Sequence, residues 1–287
     1  MIKLTNYNTF QAEVLSHGLE YAIRHSAELG FDAVEFLDTC MMGDSILPTL
    51  GDAKDVKALL DRYGLSVSCY SVGVQLLCDD SEATEQALFE HIDFAAAIGS
   101  KLFHHTVVPV LELTPDDPSY EEAMERVFAS AERIAAHCES RGLTCLYEPQ
   151  GMYFNGIDGL KPFLEKMKQA GRRVGLCGDF GNSLFVDVAP DAIFEEFMGD
   201  IKHVHVKDYL VSDTEINGKQ TDFRSKSGKW IYEADMGEGS VKLDACFDAI
   251  KAAGYDGAVS FEFVADGETN QKAMKLVREK LNIQKSK

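Results

Sequence analysis

Eight short apolar runs alternate with eight amphipathic stretches in a chain of 287 residues that carries no glycine-rich phosphate loop. Together these features predict an α/β fold, one (β/α)8 TIM barrel spanning residues 1–287 as a single domain. Repeated βα units force parallel strands, because each crossover is right-handed and carries a helix. Eight units at this length close into a barrel, which needs about 250 residues. An open doubly wound sheet would show GxGxxG or GxxxxGK[ST] after its first strand, and neither pattern occurs.

The elements follow in order. Residues 2–4 form a short first strand, and 13–29 read as one helix stopped by Gly30. The run AVEFL at 33–37 is the second strand, followed by a helix at 53–63. A strand at 66–72 precedes a helix at 82–98, and KLFHHTV at 101–107 precedes a long helix at 120–140. Strand five, 144–147, runs into Glu148, and a helix follows at 158–170. Strand six, 174–177, runs into Asp179 and a short helix at 191–198. IKHVHV at 201–206 is strand seven, and 243–253 its helix. GAVSFEF at 257–263 is strand eight, and 268–281 the last helix. One long irregular loop, 208–240, separates strand seven from its helix. A loop of that length in a compact domain is functional or an interface element.

Composition narrows the function. The formal net charge of −19 repels phosphate backbones, so no nucleic-acid partner is expected. The seven cysteines are scattered, odd in number and without a CxxC pair, which reads as reduced thiols in a cytoplasm. No run is long enough to cross a bilayer, so no membrane partner is expected either. A homo-oligomer is compatible with all of this.

In barrel enzymes the site lies at the C-terminal ends of the strands. There the chain places Glu148 after strand five, Asp179 after strand six, His205 on strand seven and Glu262 on strand eight. Side chains alternate along a strand. With Val204, Val206, Phe261 and Phe263 toward the helices, His203, His205, Lys207, Ser260 and Glu262 point inward, and so do Cys177 and Asp179. Three carboxylates meeting one imidazole would repel each other without a cation. A single divalent ion resolves that: manganese first, with magnesium, cobalt or zinc as alternatives for such mixed oxygen and nitrogen ligands. His203, one layer deeper, reads as a hydrogen-bonded core histidine, Glu35 as a buried structural hydrogen bond and Cys177 as barrel filling. Of His104 and His105, alternation lets only one face the cavity, and His105 is assigned to the substrate. Lys207 and Arg224 join it as contacts for hydroxyls or a phosphate.

The segments YEPQG, GDFGNS, HVHVKD, GEG and SFEF resemble those of the xylose-isomerase-like TIM barrels, the sugar phosphate isomerase/epimerase family. The resemblance runs from GFDAVEF at 30–36 to the last strand. It implies that Glu148, Asp179, His205 and Glu262 are the metal ligands, and that Glu148 and Glu262 also act as catalytic acid and base. Two departures stand out. Asn182 occupies the place of a histidine in the free-ketose 3-epimerases, and Phe154 that of a second glutamate. Asn182 is therefore counted among the substrate-binding residues, and the D-x-G-N form is more similar to the pentulose-phosphate epimerase branch. The implied function is a metal-dependent isomerase or epimerase of a small sugar or sugar phosphate, working by proton abstraction beside a carbonyl through an enediolate. The alternative on the same site is a lyase, a keto-polyol dehydratase or a β-eliminating deglycosidase of keto-sugars. A non-catalytic binding barrel would need no base.

Overall fold

The computed structural model describes residues 2–40 and 45–283. It begins with β1 (Lys3–Asn6), α1 (Asn8–His17), α2 (Leu19–Leu29), β2 (Ala33–Thr39), α3 (Leu47–Leu50) and α4 (Ala53–Tyr63). Next come β3 (Ser66–Gly73), α5 (Ser81–Ile98), β4 (Leu102–His105), α6 (Tyr120–Ser140), β5 (Thr144–Tyr147) and α7 (Gly156–Gln169). After β6 (Val174–Asp179), a 3-10 segment (Asn182–Val186) leads into α8 (Pro190–Phe197) and β7 (Ile201–Val206). The chain closes with β8 (Asp208–Ser212), β9 (Trp230–Ala234), α9 (Leu243–Ala252), β10 (Ala258–Phe261) and α10 (Gly267–Leu281).

Eight parallel strands form a closed barrel in the order β1-β10-β7-β6-β5-β4-β3-β2. β1 completes the ring by pairing with β2 on one side and β10 on the other. Strand faces divide the chemistry. Outward-facing rings on β2, β3 and β4 form a ladder: Phe36 stacks on Tyr70 at 5.7 Å and Tyr70 on Phe103 at 6.0 Å, each pair in register across the sheet. Inward-facing positions are polar and fully buried: Glu35, Ser71, His203 and Ser260 lie inside the barrel. The helical shell packs the apolar core, with Phe163, Phe194 and Phe247 among its largest buried side chains. Among the described residues, no helix is long and apolar enough to cross a membrane.

Two expectations change. The helix expected over 13–29 is two helices, because Gly18 takes φ 87 and breaks the run. The loop expected to be irregular over 208–240 contains an antiparallel hairpin, β8 against β9, with Tyr209 opposite Glu233 and Val211 opposite Ile231.

Two carboxylates pin the arm formed by this hairpin and its tip. Asp208 accepts the backbone N–H groups of Gly237, Gly239 and Val241 at 3.0, 2.9 and 3.2 Å. The fit at Gly239 is tight, since a Cβ there would meet Asp208 Oδ1 at 2.0 Å. Farther out, Asp187 accepts the Ser225 hydroxyl at 2.8 Å and the Ser227 N–H at 2.8 Å, and Lys226 N–H donates to Phe185 O.

Two stability tests follow from this packing. Gly239→Ala should force Asp208 off its three N–H donors and destabilise the protein by about 1–3 kcal/mol. Urea denaturation reads this, and unchanged stability would show that the arm yields freely. The second test concerns Glu85 on α5, which binds Arg133 of α6 through two N–H groups at 2.6 and 2.7 Å and accepts the Ser130 hydroxyl at 2.6 Å. The Arg133 hydrogen bonds hold its carboxyl below the usual range despite partial burial. A depressed folded-state pKa stabilises the fold above the unfolded value of about 4.3, and that contribution is lost as pH falls through the folded value. Glu85→Gln should therefore be less stable than the parent at pH 7, with the gap shrinking toward pH 3. An equal gap at both values would mean that the lost charge is irrelevant.

Candidate active site at the barrel mouth

Neighbouring strands deliver the cluster. Glu148 follows β5, Asp179 ends β6, His205 lies on β7 and Glu262 follows β10, and these four strands are adjacent in the ring. Parallel pairing puts their C-terminal ends on one rim. Asp179 lies opposite His205 across β6 and β7, after a register shift at Leu176/Cys177. One ligand atom from each of the four residues lies within 4.8 Å of every other.

His205 is the hub. Its Nδ1 is 3.1 Å from Glu148 Oε1 and 3.1 Å from Glu262 Oε2, while its Nε2 faces Glu35 Oε1 at 3.0 Å. Tyr7, the residue after β1, stacks on the imidazole with centroids 4.8 Å apart. Lys207 reaches into the same space, with Nζ 2.8 Å from Glu262 Oε1, 3.3 Å from Asp179 Oδ2 and donating to Asn182 Oδ1 at 2.8 Å. Asp179 Oδ1 accepts the N–H groups of Gly181 and Asn182 at the turn into the 3-10 segment.

The electrostatics are uneven. Burial, reinforced by Glu262 and Glu148 and opposed chiefly by Lys207, pushes Asp179 up to about 8. Burial acts the same way on Glu148, but His104 and His205 outweigh it and hold that carboxyl far below its usual range. Glu262 is likewise lowered, against burial, by Lys207 and His205. Asp179 Oδ2 and Glu262 Oε2 are buried and accept no hydrogen bond. Lys207 and His205 lie beside these two oxygens, at 3.3 and 3.1 Å, without closing a hydrogen bond to them.

The other residues assigned from sequence divide. Asn182 and Lys207 are buried beside the cluster. His105 is a correction. Its ring lies behind the wall, edge-on to Tyr147 at 5.2 Å, with Nδ1 against Thr106 O at 2.8 Å. The inward histidine of β4 is His104, whose Nε2 lies 3.2 Å from Glu148 Oε2 and whose Nδ1 is 3.1 Å from Ser71 Oγ. Alternation required one of the pair; Phe103, stacked in the outer ladder, carries His105 to the same side. Arg224 sits apart, its guanidinium over Trp230 and bonded to the carbonyls of Thr221 and Phe223. It lines a groove of about 450 Å³ with Leu111, Leu113, Met152 and Phe223. Sequence reasoning missed Tyr7, whose one signal is an aromatic at the C-terminal end of a strand. It also missed Glu233 and Asp235, which line a cleft of about 140 Å³ with Lys207, Tyr209 and Glu262. The hairpin that positions them was not foreseen.

The xylose isomerase-like TIM barrel family matches residues 23–286, so the chain belongs to that family. The inosose dehydratase of Lacticaseibacillus casei is 26% identical over 232 residues, covering 75% of this chain and 74% of that protein. The ketose 3-epimerase of Arthrobacter globiformis is 21% identical over 261 residues, covering 86% of this chain and 78% of that one. Among solved structures, a xylose isomerase-like TIM barrel protein from Mycobacterium smegmatis in complex with magnesium superposes with a TM-score of 0.70. It is 16% identical, and the match covers 98% of this chain and 97% of that one.

The two histidines of β4 give a paired test of this geometry. His104→Gln is expected to weaken Mn²⁺ binding about tenfold or more by loosening Glu148, with little change in melting temperature. His105→Gln is expected to lower the melting temperature and leave Mn²⁺ affinity alone. Calorimetric titration and thermal melts of both variants read the difference; the opposite pattern would place His105 in the site.

Proposed function

We propose that this member of the xylose isomerase-like TIM barrel family is a divalent-metal enzyme. On this reading it removes the proton beside the carbonyl of a small polyhydroxylated ketone and returns it to epimerise or isomerise the sugar. The observation that carries the reading is the convergence of Glu148, Asp179, His205 and Glu262 within 4.8 Å at the mouth of the barrel. The donor set fits a hard or borderline cation such as manganese. It offers three carboxylates and one imidazole nitrogen, with Asp179 Oδ2 and Glu262 Oε2 buried and making no hydrogen bond to the protein. When bound, such an ion supplies Lewis acidity toward the carbonyl oxygen.

The chain's own residues do the rest. Glu148 and Glu262 come from different strands and reach His205 Nδ1 through separate oxygens. Each has its own partner, His104 for Glu148 and Lys207 for Glu262. Two carboxylates so placed can take a proton from one face of a carbon and deliver one to the other. Lys207 and Asn182, already joined, are set to hold substrate hydroxyls, and Tyr7 covers the imidazole. Arg224, in its separate groove, would meet a distal substituent such as a phosphate.

The similarity to an inosose dehydratase supports a second reading, dehydration. The same proton abstraction would be followed by loss of the β-hydroxyl as water, the departing oxygen taking its proton from one of the two glutamates.

Incubation of the Mn²⁺-loaded protein with ketoses and inososes in D₂O, followed by NMR and mass spectrometry, separates the readings. An epimerase or isomerase puts deuterium on the exchanged carbon and keeps the skeleton; a dehydratase product has lost water. Chelation should abolish either activity and Mn²⁺ restore it. Exchange with none of these substrates would sink the proposal. Glu148→Gln and Glu262→Gln should each lose turnover by about 10² or more. Full epimerisation by either variant would reduce that glutamate to a ligand.

A further inference from the structure

Beneath the cluster lies a carboxylate that touches no reacting atom. Glu35 of β2 is completely buried. Its Oε1 accepts the Ser71 hydroxyl at 2.5 Å and faces His205 Nε2 at 3.0 Å. Its Oε2 accepts the Ser260 hydroxyl at 2.5 Å and faces His203 Nε2 at 2.6 Å. The partners come from β3, β7 and β10, so this one side chain spans the interior of the barrel. Unpaired, a carboxylate at this depth would be strongly destabilising. Four donors converge on it, two hydroxyls and two ring nitrogens, so both of its oxygens are partnered.

The donors settle proton positions on the rings. A neutral imidazole carries one N–H, and the hydrogen bond made by one nitrogen decides which nitrogen keeps its lone pair. His203 Nδ1 is buried without a partner, which leaves Nε2 as the nitrogen that donates to Glu35. His205 faces Glu35 through the same nitrogen, so a neutral ring that donates from Nε2 to Glu35 keeps its lone pair on Nδ1. That atom stands 3.1 Å from both Glu148 and Glu262. Without an acceptor below, the ring would donate from Nδ1 to one of these carboxylates, and the cluster would lose its nitrogen ligand. The stacked Tyr7 ring holds the plane of the imidazole but cannot choose between its nitrogens.

We infer that Glu35 is a positioning residue that fixes the His205 tautomer, leaving Nδ1 as a metal ligand, with His203, Ser71 and Ser260 as the donors that hold Glu35 in place. The inference rests on the metal reading proposed above. It assigns the buried polar floor of the barrel to the chemistry of the mouth and not to stability alone. Replacing Glu35 by an isosteric amide keeps the volume but removes half of the acceptor capacity, and its NH₂ group would face a ring N–H.

The test uses metal-free protein and Co²⁺, followed by calorimetry and by the visible absorbance of the bound ion. Glu35→Gln should bind Co²⁺ about 10- to 100-fold more weakly than the parent, and Ser260→Ala should shift affinity the same way by less. In the Zn²⁺-loaded parent, ¹⁵N-histidine NMR should find the His205 proton on Nε2. A purely structural role would change the melting temperature and leave both readings untouched. A folded Glu35→Gln protein with parental Co²⁺ affinity, or a His205 proton on Nδ1, overturns the inference while leaving the metal site standing. If the Gln variant does not fold, the Ser260→Ala affinity and the parent's NMR spectrum decide. A parent protein that binds no Co²⁺ removes the site reading itself, and this inference with it.

Discussion

Closure of the sheet is the constraint from which the rest of the molecule follows. β1 is a short strand, yet it pairs with both β2 and β10 and turns an array of βα units into a ring. In a ring of parallel strands every C-terminal end lies on the same rim, whatever the distance along the chain. Glu148 and Glu262 are far apart in sequence and both touch one imidazole nitrogen for this reason. Closure also gives the inner face no solvent, so every polar side chain there needs a partner from another strand.

That requirement divides each strand between two kinds of packing. Outward positions carry the aromatic ladder of Phe36, Tyr70 and Phe103, which packs among the buried hydrophobic side chains of the core and is insensitive to charge. Inward positions carry Glu35, Ser71, His203 and Ser260, whose geometry is set by hydrogen bonds across the interior. The two sets interleave one residue apart. A slip of one position on any strand would exchange them, placing a carboxylate among phenylalanines.

Much of this was legible before any coordinates, and the reason is periodicity. Alternation along β7 and β10 put His203, His205, Lys207 and Ser260 on the inner face, and their partners lie there. Elsewhere the reading failed. In KLFHHTV the apolar Phe103 and Val107 share the phase of His105 and mark it as outward, a signal the reading did not use, and the substrate role went to His105 when His104 faces Glu148. The break at Gly18 was hidden because apolar residues continue across it at helical spacing. The hairpin of β8 and β9 was hidden because its strands are separated by a polar tip and held by Asp208 and Asp187, contacts with no local pattern. Tyr7 could not be placed because its importance comes from a ring on the opposite side of the closure.

The attachment of the arm has a consequence for sequence variation. Its fastenings run to Asp208 at its own base and to Asp187 and Phe185 just beyond β6, whereas Glu148, Asp179, His205 and Glu262 belong to the strand ends. The segment between Ser212 and Trp230 can therefore be lengthened, shortened or exchanged while those four strand ends keep their geometry. Changes confined to that insertion would reshape the groove lined by Phe223 and Arg224 and leave the barrel as it is.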